Sequence, residues 1–148
     1  MVARPIQRFV RRTPLERRLL LRSSALLLAV TLGLRLMPLV SLQKVARRAV
    51  RRGRAHSGDR PSPDTVIWAV TATSRYLPRS TCLARALVLQ TLLEVYGWSS
   101  RLRVGFGRAA DGSLAGHAWV EGPDRRSIGH DTRIPYIPLP LFEEVRSR

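Results

Sequence analysis

The chain has 148 residues, 45% of them hydrophobic and 24% charged, with a net charge of +16 and one cysteine. That length carries one modest domain and an extension but not two independent domains, and the composition is too apolar for a disordered chain. A single cysteine excludes an internal disulfide and a thiolate-rich zinc site, and His56, His117 and His130 lack the spacing of a metal-binding helix, so neither a metal nor another cofactor is expected.

The charge is unevenly placed. Through position 60 there are 15 Arg and Lys against Glu16 and Asp59, whereas the remainder is nearly neutral. A basic arm suits an acidic partner, an anionic lipid surface or nucleic acid. Nucleic acid is the least favoured of these, because the arm lacks the interleaved aromatics on which bases stack. No charged start, apolar run and small-residue cleavage site follow one another at the usual length, so a cytoplasmic location is expected, with membrane association left open.

Thr13-Pro14-Leu15-Glu16 reads as an N-cap, a first-turn proline and an early acid, which predicts a helix start. The apolar run from Ser23 to Leu42 is nearly long enough to span a bilayer, but Arg35, Gly33 and Pro38 interrupt it. Two packed helices are the preferred reading; an interfacial helix held by the flanking arginines and a true span are the alternatives. Arg51 to Ser62 has no apolar period and is rich in turn formers, which predicts an exposed connector and a division into a basic helical region, 1–60, and a core, 61–148.

Ser62-Pro63-Asp64 repeats the cap, proline and acid signature and predicts a helix to about Tyr76. Ser80 or Thr81 caps the next, Cys82 to Tyr96, where Leu83, Ala86, Leu87, Gln90 and Leu93 recur at helical spacing and Gly97 ends the element. Then the period changes to two: Leu102, Val104 and Phe106 alternate with Arg101, Arg103 and Gly105. Ala110 to Ser113 is a turn, His117 to Glu121 a second strand, Gly122-Pro123-Asp124 a second turn, and Ser127-Ile128-Gly129 the start of a third strand continuing to Asp131. The predicted fold class is therefore α+β, with helices followed by an antiparallel sheet.

Cys82 falls where a helix begins, and there the unpaired N–H groups and the dipole favour thiolate over thiol. Arg79 and Arg85 are close enough in sequence to add to this. His117 lies 35 positions later on a strand, and alternation puts it on the face of Trp119 and Glu121, opposite Ala118 and Val120. Nucleophilic catalysis needs such an imidazole beside the sulfur and a third group to fix its tautomer. Asp131, on the next strand, is the preferred third group. Asp124, in a Pro-Asp turn that favours solvation, and Glu121, on the histidine's own strand, are the alternatives.

Arg79-Ser80-Thr81-Cys82-Leu83-Ala84-Arg85-Ala86-Leu87, together with Gly116-His117-Ala118-Trp119-Val120-Glu121, resembles the transglutaminase-like (papain-like) cysteine proteases of lasso-peptide biosynthesis, the protease half of the split B protein. The similarity runs from about Asp64 to Ile137 and includes the leucine-rich lead-in ending near Pro38. The turn after Glu121 is about two residues longer than the family pattern, which is what keeps Asp124 in contention.

The resemblance implies Cys82 as nucleophile, His117 as general base and then acid, and Asp131 as the orienting carboxylate. It further implies a leader peptidase acting on a ribosomally made precursor peptide, alongside a separate winged-helix leader-recognition protein and a lasso cyclase. The oxyanion would be held by the Cys82 N–H and a second donor, for which the Trp119 indole is a candidate. Acyl transfer to an amine and a non-catalytic basic adaptor are the competing readings.

Overall fold

The computed structural model describes residues 12–54, 58, 60–77, 79–129 and 133–140, which form four helices and then a four-stranded antiparallel sheet. Helix α1, Pro14–Leu36, opens with a capping box: Thr13 Oγ1 accepts from the Glu16 N–H and the Glu16 carboxylate accepts from the Thr13 N–H. The helix ends at Leu36, before Pro38, which cannot continue it. After two residues the chain resumes as α2, Leu39–Arg54, and here one expectation is corrected. Arg51 to Arg54, expected to open the connector, are still helical, because Val50 is buried and Gly53 lies against Val95. Tertiary packing outweighs the absence of a local apolar period.

Helix α3, Pro63–Ser74, is capped by Ser62 and stops two residues short of the expected end. Helix α4 runs from Cys82 to Val95. It is the most buried element, with Leu87, Val88, Leu92 and Leu93 almost wholly enclosed. Residues of α1 (Leu19, Leu27, Val30) and α2 (Leu42) belong to the same apolar core as Val66 and Val70 of α3 and the leucines of α4. Side-chain contacts reinforce this: Arg22 Nη1 donates to Tyr96 Oη at 2.7 Å, and Arg12 lies 4.7 Å over the Trp68 ring. The elbow between α1 and α2 closes tightly at Gly33, where an added Cβ would meet Leu42 Cδ1 at 2.8 Å.

The strands are β1, Arg101–Arg108; β2, Leu114–Glu121; β3, Ser127–Ile128; and β4, Ile137–Pro138, in the order β3-β2-β1-β4. β1 and β2 form a hairpin in continuous register from Arg101↔Glu121 to Arg108↔Leu114, closed by Asp111, whose carboxylate accepts from Ser113 Oγ at 2.6 Å. Leu102, Ala118 and Val120 supply the sheet's buried side, against which α4 packs.

The third strand departs from expectation. Among the described residues it pairs with β2 at Val120↔Ile128 and Glu121↔Ser127, and Gly129, at φ 77°, turns the chain out of the extended conformation. β4, which sequence alternation does not signal, joins the free edge of β1 at Gly105↔Pro138 and Phe106↔Ile137.

Candidate active site

Cys82 is the first residue of α4, half-buried and packed against the apolar core. The approach to it is fixed locally. Ser80 is buried and its hydroxyl donates to the Leu77 carbonyl at 2.8 Å; Thr81 then adopts the extended conformation of an N-cap and accepts from the Ala84 N–H at 3.2 Å. Arg85 reaches back to the Ser80 carbonyl at 3.3 Å, which holds a guanidinium beside the segment leading into the cysteine. Cys82 thus stands at the N-terminal end of a helix, where the first main-chain N–H groups have no acceptor within the helix.

His117 is held by a hydrogen bond and by stacking on two rings. Its Nε2 lies 2.6 Å from the Gly129 carbonyl oxygen, and its ring stacks on Tyr136 at 5.1 Å and 28° and on Trp119 at 6.2 Å and 17°. A carbonyl oxygen can only accept, so this bond requires the proton on Nε2. The ring planes of Trp119 and Tyr136 restrict its rotation and contribute about 0.5–1.5 kcal/mol per favourable aromatic pair.

The two residues reach their places through different parts of the fold. α4 packs on β2, so the helix that begins with Cys82 lies against the strand that carries His117. Along β2, Ala118 and Val120 belong to the helical core, while His117 and Trp119 alternate with them and stack together with Tyr136. The expected sharing of a face by His117 and Trp119 is seen in that stacking.

Asp131, the preferred third residue, lies outside the described residues. The two alternatives have other occupations. Glu121 Oε1 pairs with Arg103 Nε at 3.0 Å, and Asp124 accepts from the Arg126 N–H at 3.3 Å within its own solvated turn. Arg126 also bonds Asp64 at 2.7 Å, and this pairing holds the guanidinium pKa above its ordinary value. No group of three or more His, Cys, Asp or Glu gathers for a metal ion among the described residues.

Two groups at the histidine escaped the sequence reading. The Gly129 carbonyl is a backbone acceptor, and residue type does not reveal which carbonyl a side chain will meet. Tyr136 precedes a two-residue strand too short to show a period, although an aromatic in a proline-flanked segment after the last recognised strand was a usable hint.

Comparison with known proteins adds one finding. A family model described as the transglutaminase-like superfamily matches residues 24–138. No curated protein and no solved structure matches the chain.

Proposed function

The chain belongs to the transglutaminase-like superfamily, and from that premise we propose that it is a cysteine protease that removes the leader from a ribosomally synthesised lasso-peptide precursor before macrocyclisation. In this reading His117 Nδ1 takes the proton of the Cys82 thiol, the thiolate attacks the scissile carbonyl, and as the C–N bond breaks the leaving amine takes that proton from Nδ1. Water, deprotonated by the same nitrogen, then hydrolyses the thioester and frees the sulfur. Asp131, two positions beyond Gly129, is the orienting carboxylate, and the Cys82 N–H at the start of α4 holds the oxyanion.

The observation that carries the reading is the state of His117. An imidazole that donates through Nε2 to a main-chain carbonyl and stacks on Tyr136 and Trp119 is held in one orientation, as the base serving a thiol nucleophile must be. The partners proposed are the precursor peptide, a separate winged-helix protein that presents its leader, and a lasso cyclase that consumes the freed core, all in the cytoplasm.

The test is to incubate the purified protein with precursor and recognition protein and to weigh the products. Cleavage at one leader–core bond, abolished in Cys82→Ala and in His117→Ala without loss of fold, is the expected result. Products carrying an added amine would instead identify a transamidating acyltransferase. A Cys82 inert to iodoacetamide at neutral pH, with partner binding intact in Cys82→Ala, would identify a non-catalytic adaptor. The reading also requires alkylation of Cys82 to slow in His117→Ala, because a sulfur that never meets the imidazole gains nothing from it.

A further inference from the structure

The outward face of α1 is apolar along most of its length. Leu21, Leu28, Leu32 and Leu36 are 61%, 49%, 56% and 82% exposed, and their spacing places them in one stripe about 100° wide and roughly 22 Å long. The opposite face is committed to the protein, since Leu19, Leu27 and Val30 lie in the core. By length and composition α1 is apolar enough to cross a bilayer, yet crossing would strip that inner face from α3 and α4. A helix so constrained can lie on a lipid surface but cannot pass through it.

Charge frames the stripe. Arg18 and Arg35 are exposed at its two ends, near the angular limits of the leucines. Beyond the elbow, Val40 continues the apolar surface, and α2 then presents exposed Lys44, Arg47, Arg48 and Arg51 without one acidic residue in the helix. Leucines flanked by arginines match an anionic membrane surface, where apolar side chains enter the headgroup boundary and guanidinium groups stay at the phosphates. The net charge of +16 opposes the other obvious way of covering the stripe, a second copy of the chain.

We propose that α1 and α2 form a peripheral docking surface for anionic lipid bilayers, with the leucine stripe of α1 seated in the interface parallel to the membrane and the cationic face of α2 against the headgroups. This is independent of the catalytic reading. It places the protein, whatever its substrate, at a membrane surface.

The experiment is co-sedimentation of the full chain with vesicles of phosphatidylcholine alone and with roughly 30% phosphatidylglycerol, over a range of salt. Binding to the anionic vesicles about tenfold or more tighter than to the neutral ones, and weakening as salt rises, is the expected result. The double variant Leu28→Glu, Leu32→Glu should lose about tenfold or more of the affinity while keeping its circular dichroism and leader cleavage. Should that variant not fold, Leu32→Gln alone, at a half-exposed position, gives the same reading with a smaller loss. Arg47→Ser with Arg48→Ser should flatten the salt dependence. The proposal is overturned if wild-type protein stays in the supernatant with anionic vesicles, or if the folded leucine variant sediments as wild type does. It is equally overturned if the leucine change abolishes self-association or capture of an acidic protein while leaving vesicle binding untouched.

Discussion

His117 and Gly129 are joined by a 2.6 Å hydrogen bond between an imidazole nitrogen and a main-chain carbonyl, and that bond places a proton on Nε2. Gly129 holds φ 77°, a region that costs an L-residue about 1–2 kcal/mol, and an added Cβ would meet nothing within 4 Å. Gly129→Ala should therefore leave the packing intact while displacing the carbonyl. Leader cleavage is expected to fall by about tenfold or more while stability falls by only about 1–2 kcal/mol. The Nε2-bound proton resonance expected for His117 in the parent should broaden or shift in the variant.

Thr81 caps the helix whose first residue is Cys82. Thr81→Ala should lower stability by about 1 kcal/mol, as cap removal does, and Thr81→Ser should restore it. Because the cap fixes the helix end at which Cys82 stands, the alkylation rate of Cys82 should drop in the alanine variant and recover in the serine variant. A cap that matters to stability alone would change the melting temperature without changing that rate.

Leu27 is completely buried where α1 meets α3 and α4. Leu27→Ala should cost about 2–5 kcal/mol, measured by urea unfolding. A fragment beginning at residue 61 would expose the faces of α3 and α4 that α1 and α2 cover, and it should lack a cooperative transition. A folded, cleaving fragment would show instead that the basic region is an accessory.

The hairpin turn carries a small acid sensitivity. Ser113 hydroxyl and N–H groups donate to the Asp111 carboxylate and hold its pKa below the ordinary 3.8. A depressed folded value means that this carboxylate stabilises the fold above the unfolded pKa and loses that effect as pH falls through the folded one. A carboxyl NMR titration should find Asp111 still ionised where unfolded aspartate is half protonated. Asp111→Asn should remove this part of the acid dependence, with little change at neutral pH because the site is fully exposed.

The helices were legible in the sequence because their signals are local. Thr13, Ser62 and Thr81 are each caps in place, two of them followed by proline, and the alternation from Leu102 onward marked the first strand. The positions of Cys82 and His117 at a helix start and on a strand were legible for the same reason. The end of α2 was not, because Arg51–Arg54 remains helical through packing against α4 rather than through any pattern of its own. β3 was read as continuing through Gly129, since a strand residue and a left-handed glycine look alike until the φ angle is known. β4 and the Tyr136 stack depend on a return of the chain to the far edge of the sheet, a non-local event that no window of residues records.

The closeness of Gly33 to Leu42 has a mechanical consequence. A bulkier residue at 33 would press on the tip of the Leu42 side chain, so the elbow can close this far only if that buried leucine turns aside.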